Sequence, residues 1–171
     1  MALLLGGVLS YASAADPKVD EYRVKGAFLL NFAKFVEWPA GAFQGPKDPI
    51  SICILGANPF TPALDAAAHA VVIESRSVAV RQIAEPAQAR QCQIVFLSAS
   101  ERKRVRAVLE AVQEGSVLTV GETQGFVESG GVIELRVEES RVRMEINLAS
   151  AKKAGLHISA KLLSLAQSGD K

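Results

Sequence analysis

The sequence predicts an α/β fold: a mainly parallel sheet flanked by helices on both faces, with a C-terminal antiparallel hairpin at the edge. Three observations lead there. Short, nearly continuous apolar runs at Ile50–Leu55, Ile94–Leu97 and Val117–Val120 fit strands buried on both sides. Helical patterns alternate with these runs, as parallel crossovers require. Toward the C-terminus, Val132–Val137 and Arg141–Ile146 each alternate apolar and polar residues, and Glu138-Glu139-Ser140 between them is short enough for a hairpin. The chain has 171 residues, 49% hydrophobic and 22% charged, which suits one globular domain that needs no metal lattice to fold.

The elements follow in order. Met1 to Leu9 is apolar apart from Gly6 and Gly7, and Ala12-Ser13-Ala14 fits a signal-peptidase site, so residues 1–14 are expected to be a cleaved signal peptide. The run is too short for a bilayer span, which needs about 20 residues. No Lys or Arg precedes it, and a plain apolar tail is the other reading. Asp20 is placed to cap a helix to about Val36, with Val24, Phe28, Phe32 and Phe35 on one face and Leu29, Ala33 and Val36 alongside. Trp38-Pro39 ends it. Pro39 to Pro49 reads as a loop. After Ile50–Leu55, Gly56-Ala-Asn-Pro59 is a turn, Thr61 or Pro62 opens a short helix to about Ala70, and Val78–Ile83 alternates as a strand. Ala87 to Arg90 forms one helical turn. Ser100 caps a helix to about Gln113, with Val105, Val108, Leu109 and Val112 at core spacing and Gly115 as its stop. Two closing helices, Ala149–Ala154 and Ser159–Ala166, are split near Gly155. One compact domain over residues 20–167 is expected.

Chemistry is sparse. Nineteen basic and eighteen acidic residues leave a net charge of +1, so no overall positive field draws nucleic acid. No G-x-S-x-G elbow, H-E-x-x-H pair, phosphate loop or dinucleotide fingerprint occurs. The sequence therefore nominates no catalytic residue, no cofactor and no metal. His69 closes an alanine-rich helix, where its imidazole can meet terminal carbonyls, and His157 lies in Gly155-Leu-His-Ile-Ser159. Glu101-Arg-Lys-Arg-Val-Arg106 gathers cations at a helix start, where they are mildly unfavourable. It is either a solvated face or a surface for an anionic partner or lipid. Strand geometry puts Arg141, Arg143 and Glu145 on one face, which either meets a partner or discourages edge aggregation. Gly125-Phe-Val-Glu-Ser-Gly-Gly131 is a glycine-rich loop with one aromatic prone to exposure, Phe126; it is either a partner surface or a tight entry into the hairpin. Cys53 and Cys92 are an even pair beside strand-like runs. They form one disulfide if the chain is exported, or remain two buried thiols.

Several segments together resemble the YfiR family of exported bacterial proteins. They are K-G-A-F-L-L-N-F-A-K-F-V-E-W-P from Lys25 to Pro39, I-C-I-L-G-A-N-P-F from Ile52 to Phe60, and C-Q-I-V-F-L-S from Cys92 to Ser98 with Glu101. The last is G-F-V-E-S-G-G-V-I-E-L from Gly125 to Leu135, leading into R-M-E-I-N from Arg143 and the stretch Ala154 to Leu163. The match runs from about Val24 to Ala166 in consistent order and spacing. It implies a periplasmic, often dimeric α/β domain without enzymatic activity. Such a domain binds the periplasmic sensor part of a membrane diguanylate cyclase and holds it inactive, restraining cyclic di-GMP and biofilm formation.

By this resemblance, Cys53 and Cys92 match a cysteine pair that can form a disulfide, and Glu145 matches a position tied to the repressor surface. Arg143, Phe126 and His157 are the further partner-binding candidates. A second cysteine pair of redox-regulated members falls at Val127 and Glu134, so that pair is missing here. The competing expectation is a periplasmic small-molecule sensor or carrier using the crevice at the carboxyl ends of the strands, near Gly56, Asn58, Ser98 and Ser100.

Overall fold

The structure, a computed structural model, describes residues 16–60 and 62–168. The expected leader and Thr61 lie outside these residues. The chain begins with α1 (Pro17–Phe35). Its cap is Asp16 rather than Asp20: the Asp16 carboxylate accepts from the Lys18 amide, and Pro17 occupies the first turn, where its missing N–H costs nothing. The buried face is also rotated from the expected one. Lys25, Leu29, Phe32, Ala33 and Val36 face inward while Val24 is 40% exposed, because Lys25 has a buried carboxylate partner in Glu122 and a second, partly buried one in Glu21.

The remaining strands are β1 (Val36–Glu37), β2 (Ile50–Leu55), β3 (Val72–Ile73), β4 (Arg76–Ile83), β5 (Ile94–Leu97), β6 (Leu118–Gly121), β7 (Ile133–Glu138), β8 (Arg141–Ile146) and β9 (His157–Ile158). The helices are α2 (Ala63–His69), α3 (Val105–Val112), α4 (Leu148–Lys153) and α5 (Ala160–Ser168). Short 3₁₀ turns at Pro86–Gln91 and Ala99–Arg104 precede β5 and α3. Ser98, not Ser100, caps the latter stretch, accepting from the Ser100 amide.

Seven strands form one sheet in the order β3-β4-β2-β5-β6-β7-β8. The pairings β2–β4, β2–β5, β5–β6 and β6–β7 are parallel, whereas β3–β4 and β7–β8 are antiparallel. Counting only the parallel strands in chain order, the sheet runs second, first, third, fourth, fifth. This is a doubly wound arrangement whose order reverses between β2 and β5.

Alternation along the strands divides the core. Ile50, Ile52, Ile54, Ile94, Phe96, Leu118, Val120, Ile133, Leu135 and Met144 share one cluster with side chains of α1, α2, α4 and α5. Cys53, Leu55, Val95 and Leu97 share the other with Val108 and Val112 of α3, Ala89 and Phe126. Outside the main sheet, β1 and β9 pair antiparallel, setting Glu37 opposite His157.

Candidate functional site

In open α/β sheets the ordinary ligand crevice lies where strand order reverses, here at the carboxyl ends of β2 and β5. The protein's own side chains fill that place. Gly56 follows β2 at φ +90°, and a Cβ there would overlap Ser100 Oγ and Glu101 Cγ. The Ala57 amide donates to Ser100 Oγ at 3.0 Å, and the Asn58 side-chain Oδ1 accepts from the Phe60 amide at 3.1 Å. Ser98 is buried. Beside them, just past β6, Glu122 accepts from the Ala99 amide at 2.8 Å and pairs with Lys25 Nζ at 2.6 Å, with both side chains under 5% exposed. Lys25 also pairs with Glu21. Tyr22 donates to Glu122 at 3.5 Å. Burial, then the charges of Glu122 and Glu21, push its hydroxyl up to about 12. Removing one partner of such a buried pair costs about 3–5 kcal/mol, so this plug is a structural fixture.

The hairpin presents a different surface. Along β7 and β8, Leu135 and Met144 point into the core, so Glu134, Arg136, Glu138, Arg141, Arg143 and Glu145 share the opposite face. The register sets Glu134 opposite Glu145 and Arg136 opposite Arg143, two like-charged pairs that would repel. Arg136 resolves one of them by bridging. Its guanidinium donates to Glu145 at 2.6 Å, to Glu138 at 3.0 Å and to Glu134 at 3.5 Å. The hydrogen bond to Glu145 holds Arg136 above its ordinary pKa. Arg141 and Arg143 make no ion pair among the described residues, and Glu145 keeps 44% of its side chain exposed.

Glu134 has no exposed surface. Its carboxylate accepts from the backbone amides of Phe126 at 2.8 Å and Val127 at 3.3 Å, tying the glycine-rich loop to β7. The positions that the family resemblance gives to a second cysteine pair, Val127 and Glu134, are thus joined by a hydrogen bond. Asn147 adds another tie, donating to the Val127 carbonyl at 3.0 Å while capping α4.

Phe126 corrects an expectation: it is buried, 1% exposed, not displayed. Its ring lies against Gly121 and Gly131, where any Cβ would collide with it, so the loop's composition seats this ring and cannot offer it to a partner. Arg143 and Glu145 lie together on the hairpin face. His157 is exposed but belongs to the β1–β9 pair, and among the described residues no hydrogen bond or ion pair joins it to them. Lys25, Glu122, Glu134 and Arg136 escaped the sequence reading, because a charged residue in an alternating or amphipathic pattern signals solvent and only the fold supplies its buried partner.

Cys53 and Cys92 form a disulfide with Cα atoms 6.0 Å apart, joining β2 to the residue that ends the 3₁₀ turn before β5. Among the described residues, no three His, Cys, Asp or Glu are grouped to hold a metal ion, and no helix is long and apolar enough to cross a membrane.

A sequence model of the YfiR/HmsC-like family matches residues 22–167. No curated protein matches the chain. Among solved structures, a conserved domain protein from Vibrio cholerae O1 biovar El Tor aligns at a TM-score of 0.50 with 11% identity, over 67% of this chain and 53% of that one. An ABC domain from Streptococcus pneumoniae, solved in complex with L-Trp, aligns at a TM-score of 0.48 with 10% identity, over 86% of this chain and 58% of its own. The chain therefore spans little more than half the length of either protein.

Proposed function

Because the chain belongs to the YfiR/HmsC-like family, we propose that it is a periplasmic regulator that docks on the sensor domain of an inner-membrane signalling protein, a diguanylate cyclase, and holds it inactive. The observation carrying this reading is the family match across residues 22–167. A signal peptide over residues 1–14, a domain over residues 20–167 and assembly as a homodimer belong to the same reading. It assigns no catalytic chemistry and no cofactor to the chain.

Repression requires tighter binding to the inactive form of the cyclase than to the active one, since equal affinity shifts nothing. The hairpin face suits that task. It is ion-paired at its centre through Arg136 and bordered by Arg141 and Arg143, whose charges are unspent within the described residues. The small-molecule reading is the weaker one, because Ser100, Glu101, Lys25 and Glu122 fill the crevice it would use.

The test is affinity capture from native-host membranes with wild-type protein and Glu145→Lys, together with cellular cyclic di-GMP. Wild type is expected to retain a diguanylate cyclase. The variant should keep its far-ultraviolet circular dichroism, lose most of the capture and raise cyclic di-GMP. Equal retention by both proteins sinks the assignment of Glu145, and absence of any cyclase in the captured material sinks the partner.

A further inference from the structure

The basic run that starts the α3 stretch is not used by the hairpin face, and the structure places it on the rim of a groove. This groove, about 640 Å³, runs between α3 on one side and the glycine-rich loop with α4 on the other. Its floor is apolar, with Val112, Val117 and Val132 beneath the half-buried Val105 and Leu109. The buried Thr119 Oγ1 in that floor accepts from the Val132 amide at 2.9 Å.

Charge on the rim is lopsided. Arg102, Lys103 and Arg106 stand along one wall and Lys153 on the other, against the single carboxylate of Glu110. Glu110 is paired with Arg106 at 2.8 Å, which leaves Arg102, Lys103 and Lys153 without an ion pair among the described residues. Three unspent cations flank one groove in a chain whose net charge is only +1. Arg102 and Lys103 also sit in the N-terminal turns of a helical stretch, where the helix dipole opposes them.

We propose that this groove receives an acidic, amphipathic segment of the protein partner, its apolar side chains on Leu109 and Val105 and its carboxylates between Arg102, Lys103 and Lys153. The occupant's chemistry follows from charge complementarity with an apolar centre. A small polar ligand fits less well. Small-molecule sites converge a few free polar groups on their occupant; here the cations stand on opposite rims of a floor made by Val112, Val117 and Val132. A bilayer surface also fits poorly, since the apolar residues are recessed below the cations. The partner's identity rests on the regulator reading above; the groove's preference does not. Ser129 and Gly130 of the loop tied by Glu134 form part of the wall, so one partner can span both surfaces.

The test uses purified protein and a labelled twelve-residue peptide with Glu on one helical face and Leu on the other, alongside the same peptide with Gln for Glu. Fluorescence anisotropy should show saturable binding of the acidic peptide, weakened by added salt, and at least tenfold weaker binding of the Gln peptide. Arg102→Glu combined with Lys103→Glu and Lys153→Glu should weaken the acidic peptide at least tenfold with an unchanged circular dichroism spectrum. Glu145→Lys should bind it as wild type does. Equal affinity of wild type and the triple variant, or no saturable binding by wild type, overturns the proposal. So does co-sedimentation of wild type, but not the triple variant, with phosphatidylethanolamine–phosphatidylglycerol vesicles when the peptide fails to bind. Loss of cyclase capture by Glu145→Lys is a separate readout, so either reading can fail alone.

Discussion

Glu134 shows how one residue can govern a surface it never reaches. It is fully buried, yet its carboxylate holds the amides of Phe126 and Val127 and touches the guanidinium that grips the exposed Glu145. Truncation strands two buried donors, at about 1–3 kcal/mol each. Glu134→Ala should therefore lower the urea midpoint clearly, and Glu134→Gln, which keeps an acceptor, should lower it less. Equal midpoints for wild type and Glu134→Ala would mean that the loop is held by the Phe126 ring alone. None of this was legible in Val132-Ile-Glu-Leu135, where an alternating glutamate reads as solvent-facing. The same blindness applied to Lys25, whose inward turn depends on Glu122, 97 residues away. The face shared by Arg143 and Glu145 was legible, because period-two alternation fixes sidedness locally.

Among the elements, strand positions followed from apolar runs, and boundaries failed where two signals competed. Asp16 and Asp20 are both acceptable caps, and Pro17 decides for the first. The two-residue strands β1, β3 and β9 are too short to carry a period. The hairpin turns hold a less visible feature. Glu74-Ser75 between β3 and β4, and Glu139-Ser140 between β7 and β8, all have positive φ, from 49° to 69°. Two central residues with positive φ suit Asn-Gly, whereas a side chain in left-handed geometry costs about 1–2 kcal/mol per residue. Glu139→Asn with Ser140→Gly should raise stability by about 1 kcal/mol, after the greater chain entropy of unfolded glycine is subtracted. Thermal denaturation measures it, and an unchanged or lower melting temperature would mean that Glu139 or Ser140 makes compensating contacts.

At the scale of the molecule, the parallel sheet and its C-terminal antiparallel edge were legible because each of the longer strands carried its own signal. The closing of the strand-end crevice was not, since Gly56 and Glu101 meet only after β2 and β5 align. The disulfide was legible as a pair of cysteines beside two strands, and its structural consequence is now specific. Cys53 and Cys92 span 39 residues and cross-link β2 to the approach to β5 beneath α3. In the chain-entropy account, closing such a loop destabilises the unfolded chain by about 4 kcal/mol. Cys53→Ser with Cys92→Ser, or reduction of the wild type, should therefore lower the unfolding free energy by a similar amount in urea titration. The loop beside the hairpin face has a second tie besides the packing of Phe126 in the cluster around this bond: the carboxylate of Glu134, which no reductant alters. Below its lowered melting temperature, the double-serine variant should capture the proposed membrane partner as wild type does. Loss of capture by a folded double-serine variant would show that the bond shapes the proposed docking surface as well as the core, while wild-type stability in that variant would show that the cross-link adds nothing to the fold.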